Sequence, residues 1–145
     1  MEYGCDFHEL TDYKELLKGK LKSFPNECKK FIKNECKKLK QKTKSFANSE
    51  VGKSDKSHKH YVDGFKDGKP FDKGDTFCCR VYNNTPHAHL IENGHKIVRN
   101  NSQIGFVSGK YIMQKSGDNF QDEFVKNTED FLLGDYENDR KKWYL

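Results

Sequence analysis

The feature that most constrains this chain is a helical pattern of apolar side chains in its first third. Between residues 24 and 46 these side chains recur at spacings of three and four, within about 140° of arc at about 100° per residue. They are Phe24, Cys28, Phe31, Ile32, Cys36, Leu39 and Phe46. Lysines fill the opposite side. The spacing predicts one long amphipathic helix over residues 24–46, with Ser23 as its N-cap and Pro25 in its first turn.

The composition limits the size of the core. The chain has 145 residues, of which 33% are hydrophobic and 13% aromatic. This length suits a single domain over residues 1–145. The low apolar content predicts a thin core built from large rings, and such a core gains stability when partner subunits cover it.

The remaining segments predict further helices, strands and polar loops. A short helix over residues 12–18, ended by Gly19, should precede the long one. Residues 47–59 are polar and predict a long mobile loop, and residues 99–109 predict another polar loop. Strands are expected at 61–65, 76–83 and 96–98, and short turns at Asp67-Gly68 and Gly74 should connect the first two. Further helices are expected at 86–92 and 110–133, the latter interrupted at Ser116-Gly117, before a charged and aromatic tail over 134–145.

These elements together predict an α+β domain. The long N-terminal helix and the C-terminal helix should pack on one face of a small antiparallel β-sheet, with long polar loops between the elements. In the strand at 76–83, Phe77, Cys79 and Val81 alternate with more polar neighbours, as a half-solvated antiparallel sheet requires.

Several classes of protein are disfavoured by what the sequence lacks. No window approaches the apolar length of a membrane-spanning helix, and the first residues do not resemble a signal peptide, so we expect no membrane partner and synthesis in a cytoplasm. The five cysteines are an odd number without zinc-site spacing, which indicates small buried side chains rather than disulfides. His87, His89 and His95 lie close together, but not at the spacing of a zinc site. We therefore expect no enzyme, no metal and no cofactor.

The strongest charge feature is the lysine side of the long helix. Residues 14–44 hold twelve lysines and three glutamates, whereas residues 111–145 hold five basic and eight acidic residues. Two interpretations remain open: sequence-independent contact with nucleic-acid phosphates, or an ordinary solvated helix face. A third use is contact between copies, with the acidic part of one against the basic helix of another. The candidate DNA- or subunit-facing residues are Lys29, Lys30, Lys33, Lys37, Lys40 and Lys44.

Residues 81–96, VYNNTPHAHLIENGHK, carry a resemblance to a known family. A strand ending in Val-x-Asn runs into a short helix with Ala and Glu and then into x-Gly-His. This block is similar to the minor structural proteins of tailed bacteriophages at the head-to-tail neck, the neck or tail-completion proteins. The matching residues are Asn83, Ala88, Glu92, Gly94 and His95. A second block, residues 105–113, resembles the segment leading into that family's last helix. The family's Pro-x-x-Thr-Gly segment is replaced at residues 48–53, where Gly52 alone is kept.

The resemblance implies a non-enzymatic virion protein that forms a ring at the head-tail neck or tail end, in a neck, tail-completion or tail-terminator role. A hexamer is the expected ring. Its partners would be further copies of itself and other neck, connector or tail-tube proteins, with non-specific contact to DNA in the lumen. It would be made in the host bacterial cytoplasm and reside in the virion. The alternative is a non-specific nucleic-acid-binding module that uses the lysine-rich helix.

Glu92 is the motif residue with the clearest physical expectation. It lies near the C-terminus of the predicted short helix, where the helix dipole does not favour an acid. We therefore expect its carboxylate to accept hydrogen bonds from a loop backbone or to pair with a cation.

Overall fold

The computed structural model describes residues 8–51 and 60–143 and shows the predicted α+β fold. Two long helices pack together beside three small antiparallel sheets. In chain order the elements are α1 (His8–Glu50), a 3-10 turn (Tyr61–Gly64), β1 (Phe65–Asp67), β2 (Phe71–Lys73), β3 (Thr76–Cys78), β4 (Val81–Asn83), α2 (Ala88–Asn93), β5 (Gly94–Arg99), β6 (Ser102–Ser108) and α3 (Ile112–Trp143).

The helices α1 and α3 pack through aromatic rings from the predicted stripe. Phe24 stacks on Phe131 with ring centroids 6.3 Å apart, and Phe31 lies 4.5 Å from the same ring. Phe31 also approaches Phe124, at 6.4 Å. Because the earlier ring of α1 meets the later ring of α3, the two helices run in opposite directions.

The helix α1 is longer than the sequence predicts. It continues unbroken through Gly19 and Pro25, so the separate helix over 12–18 and the start at Ser23 are wrong. Proline removes one backbone hydrogen bond, at a cost of about 3 kcal/mol, and the aromatic packing of this part of α1 against α3 offsets it. The predicted loop at 47–59 is also wrong in its first part: α1 extends to Glu50, and Ala47 is fully buried. Residues 52–59 lie outside the described residues.

The strands form three separate two-stranded sheets, a division that the sequence does not predict. β1 pairs with β4, β2 with β3, and β5 with β6. The predicted strand at 76–83 is broken between β3 and β4, because the chain changes partner at Cys79 and Arg80. There the Gly68 N–H donates to the Arg80 carbonyl oxygen at 2.8 Å, and the Cys79 thiol donates to the Gly68 carbonyl oxygen at 3.3 Å. The predicted strand at 61–65 is mostly the 3-10 turn, and β1 begins at its last residue.

The strand predicted at 96–98 is confirmed within the longer β5, whereas the predicted loop at 99–109 is wrong. Its residues form β6, which pairs with β5 from Arg99↔Ser102 to Gly94↔Ser108. Asn100 and Asn101 connect the strands, with φ of 50° and 59°. A two-residue turn with positive φ at both positions favours a tight hairpin, and asparagine tolerates that conformation.

The C-terminal helix is likewise continuous. α3 runs through Ser116 and Gly117 without the predicted interruption, and the predicted tail is helical as far as Trp143. Ser116 is buried, and the position of Gly117 is open. In the part of the chain that the structure describes, no helix is apolar over a length that could cross a membrane.

The buried core is small, as the composition predicts. It lies where the end of α1, the 3-10 turn and the start of α3 meet, and its buried members are Ala47, Tyr61, Val62, Phe65 and Ile112. The cysteine prediction is met in part: Cys36 is buried, whereas Cys28, Cys78 and Cys79 are half-buried and form no disulfide within the described residues. Cys5 lies outside the described residues.

Candidate functional site

Four of the six candidate lysines on α1 are paired with acids of the same chain. Lys29 Nζ lies 3.1 Å from an oxygen of Asp72, and Lys44 Nζ lies 3.7 Å from an oxygen of Asp63. Lys33 and Lys40 both contact the carboxylate of Asp67. The lysine side of α1 therefore contacts acids of the 3-10 turn, β1 and β2, which pack beside the helix.

Asp67 is the centre of this arrangement. Lys33 Nζ lies 2.5 Å from one of its carboxylate oxygens, and Lys40 Nζ donates to the other. Lys33 also donates to the carbonyl oxygen of Gly68, at 2.5 Å. Hydrogen bonds from Lys33 and then Lys40 hold the pKa of the Asp67 carboxyl well below its usual range. The bond to Asp67 raises the pKa of the Lys33 ammonium. These contacts fasten β1 to α1.

The two other candidate lysines, Lys30 and Lys37, are exposed. Together with Lys29, Lys33 and Pro70 they line an open cleft of about 460 Å³ between α1 and the turn after β1. Among the described residues, neither Lys30 nor Lys37 has an acidic partner. Of the predicted lysine surface, this cleft therefore holds the two candidate lysines whose charges no described acid pairs. We call it the lysine cleft.

The motif residue Asn83 organises the turn between β4 and α2. Its side-chain amide donates to the Tyr61 carbonyl oxygen at 2.7 Å, and its Oδ1 accepts from the backbone N–H and hydroxyl of Thr85, at 2.9 and 2.6 Å. A Cβ at Gly64 would lie 2.4 Å from Asn83 Oδ1. Asn83 thus connects three segments of the core.

Glu92 caps α3. One oxygen of its carboxylate accepts from the Met113 backbone N–H at 3.0 Å and from the Gln114 N–H at 3.3 Å. The other accepts from the Tyr61 hydroxyl at 3.3 Å. The acid accepts hydrogen bonds from backbone N–H groups, as expected, but they belong to the first turn of α3 and not to a loop. The positive end of that helix explains why an acid is favoured there. Burial, and then the charge of Glu92, raises the pKa of the Tyr61 phenol.

Gly94 and Gly109 bring the two ends of the β5–β6 hairpin onto α2. Gly94 has φ of 81°, and a Cβ there would lie 2.3 Å from the Val107 carbonyl oxygen. A Cβ at Gly109 would lie 2.3 Å from the carbonyl oxygen of Glu92. Ala88 packs against the core. His95 Nδ1 is buried without a hydrogen-bond partner among the described residues. Glu92, Gly94 and His95 therefore lie at the base of the hairpin, whereas Asn83 and Ala88 lie before it, in the turn into α2 and in α2 itself.

Beyond that base, the β5–β6 hairpin projects with its apolar side chains uncovered. Val98, Ile104 and Phe106 are 60%, 61% and 58% exposed. The pairing register places Val98 and Phe106 on one face, and Ile104, the extra residue of β6 at the bulge, lies beside them in the strand; we call these three the apolar hairpin face. Ile97 and Val107, on the opposite face, are also exposed. The sequence did not indicate this surface, because its polar residues around β6 predict a loop.

A cavity of about 420 Å³ lies between α1, β3 and α3, lined by apolar side chains and by Cys36, Cys78 and Cys79. Burial raises the pKa of the Cys36 thiol to about 12, so this cysteine stays protonated and is a poor nucleophile.

Among the described residues, no three histidine, cysteine or acidic side chains are grouped to hold a metal ion. His87 and His89 are exposed at the start of α2.

The geometry therefore offers two surfaces, the lysine cleft and the apolar hairpin face. Comparison with known proteins adds no further candidate, because no family model, curated protein or solved structure matches this chain. The function must be inferred from the surfaces themselves and from the sequence resemblance.

Proposed function

We propose that this chain is a structural subunit of a tailed phage or phage-like particle, and that its copies form a ring at the head-tail neck or tail end. The observation that carries the proposal is the uncovered β5–β6 hairpin. An isolated two-stranded hairpin is marginally stable in water, and contiguous exposed apolar side chains mark interaction surfaces. A hairpin of this kind is suited to lie between subunits.

The roles of the motif residues support a structural function. Asn83 fixes backbone geometry in the turn before α2, and Glu92 and Gly94 fix it at the base of the hairpin, through hydrogen bonds or close approach. These residues are used for folding, and the last two also orient the hairpin. The residues that resemble neck proteins thus lie in the part of the chain that holds the hairpin. In the proposed ring, this hairpin is the element that contacts other subunits.

The alternative, non-specific nucleic-acid binding, is less well supported. It depends on the number of free cations, and four of the six candidate lysines are paired within the chain. The lysine cleft retains two exposed cations, Lys30 and Lys37. Phosphate contact in the lumen of a ring would use these two residues.

Native mass spectrometry and negative-stain electron microscopy of the purified chain test the proposal. We expect closed rings of one size, and we expect genes for portal, capsid or tail-tube proteins beside its coding sequence. A chain that stays monomeric at every attainable concentration, with metabolic genes on both sides, would contradict the proposal. Oligonucleotide binding by that monomer, falling steeply between about 50 and 200 mM salt, would favour the alternative.

A further inference from the structure

A second uncovered apolar surface lies on α3. The rings that contact α1 lie on one side of this helix. On the opposite side, within about 100° of arc at about 100° per residue, lies what we call the outward face of α3. It consists of Asp118, Asp122, Val125, Glu129, Leu132 and Leu133. Val125, Leu132 and Leu133 are 48%, 49% and 60% exposed. Apolar and acidic side chains therefore share a surface that its own chain does not cover.

The charges of the two apolar surfaces are opposite. Residues 118–133 contain five acids and one lysine. The hairpin, residues 94–108, contains Lys96 and Arg99 and no acid. Lys96 and Arg99 are exposed beside the apolar side chains of β5. Complementary charge around apolar contacts favours one mutual orientation and speeds encounter.

The dimensions of the two surfaces also agree. Six paired residues at about 3.3 Å each make the hairpin about 20 Å long, and residues 118–133 at about 1.5 Å each span about 22 Å of α3. Within one chain the two surfaces do not cover each other, since the apolar side chains of both remain about half or more exposed. Backbone hydrogen bonds from Lys110 and Tyr111 to α2 hold the hairpin base at the start of α3. Leu133 lies about 32 Å further along that helix.

We propose that the apolar hairpin face of one copy docks on the outward face of α3 of the next copy. The proposal rests on the ring assembly proposed above and names the surfaces that join the subunits. Because the two surfaces differ, the contact is head-to-tail, and its repetition closes a ring when the rotation between copies is a whole fraction of a turn. A hairpin-to-hairpin contact would instead stop at a two-fold dimer.

Two variants separate these arrangements. Phe106→Asp damages the hairpin face and leaves α3 intact, whereas Leu132→Asp does the reverse. Both positions are exposed, so both variants should fold, which circular dichroism and thermal unfolding check. Leu21→Asp, at a position of α1 that is 74% exposed, is the matched control and should assemble like the wild type.

In sedimentation velocity we expect each single variant to be monomeric, with association weakened at least roughly tenfold, as for a central interface residue. A mixture of the two should form a heterodimer and nothing larger, because one intact hairpin remains to meet one intact α3 face. Photo-crosslinking from a benzophenone residue at position 106 should reach residues 122–133 of a second copy.

The outcomes distinguish this pairing from the proposed function. If the wild type forms rings and Leu132→Asp also forms them, the pairing is refuted while the ring stands. If Phe106→Asp is monomeric and the mixture yields no heterodimer, the contact is hairpin to hairpin and the pairing is again refuted. A wild type that never assembles refutes both.

Discussion

Replacing Glu92 tests whether the cap of α3 holds the hairpin base together. Glu92→Ala removes the acceptor for the Met113 and Gln114 N–H groups and leaves the Tyr61 hydroxyl, on a residue that is 3% exposed, without its partner. Losing the cap should cost about 1.5 kcal/mol, and the unpaired buried hydroxyl about 1.5 kcal/mol more. For a chain of this size, about 3 kcal/mol corresponds to a fall in Tm of about 10 °C.

Differential scanning calorimetry and urea unfolding measure this loss. Glu92→Gln keeps one acceptor oxygen and the same size, so it should cost only about 1 kcal/mol. Glu137→Ala makes the same truncation at an exposed position of α3, the helix that Glu92 caps, and should change stability by less than about 0.5 kcal/mol. The reasoning is refuted if Glu92→Ala is as stable as Glu137→Ala, or if the glutamine variant loses as much as the alanine variant.

Three further substitutions test the rest of the fold by equilibrium unfolding. Because the folded-state pKa of Asp67 is lowered, its stabilisation is present above pH about 4 and is lost as pH falls from there. Asp67→Asn should therefore lower the free energy of unfolding at pH 7 by about 1–3 kcal/mol, and the variant should lose less stability than the wild type when the solution is acidified. Asp72→Asn, which removes a more exposed ion pair, is the control and should change the free energy of unfolding little. Gly94→Ala should destabilise by more than about 3 kcal/mol, because its Cβ would strike backbone atoms, whereas Gly74→Ala, with φ of 62° and open space, should lose only about 1–2 kcal/mol. Gly117→Ala, in open space within α3, should raise stability by about 0.5–1 kcal/mol, and an unchanged or lower midpoint would contradict the helix at that position.

The parts of the fold that follow a local period could be predicted from the sequence. The apolar stripe of α1 packs on α3 through Phe24 and Phe31, and the strand expected at 96–98 lies within β5. Helix ends were predicted poorly, because Ser23 and Pro25 are local signals that tertiary packing overrides. The single strand expected at 76–83 fails for a similar reason: its two halves find different partners.

The candidate site depended on contacts that local patterns do not contain. The lysines of α1 were visible, but their acids are distant in sequence: Lys40 and Asp67 are 27 positions apart, and Lys29 and Asp72 are 43 apart. The sequence predicts that Glu92 has a hydrogen-bond partner, because an acid at a helix C-terminus needs one. It does not predict that the partner is the first turn of α3. The hairpin was missed at Asn100-Asn101, whose turn chemistry was the available signal.

The attachment of the β5–β6 hairpin through its base has a consequence for how such a chain can change. Val98, Ile104 and Phe106 bury little area in the folded monomer, so replacing them alters its folding free energy only slightly. On the docking proposed above, the side chains with which the hairpin recognises a neighbouring copy are therefore not the ones that stabilise the fold. Substitutions there would change which neighbour the hairpin binds without passing through an unstable sequence.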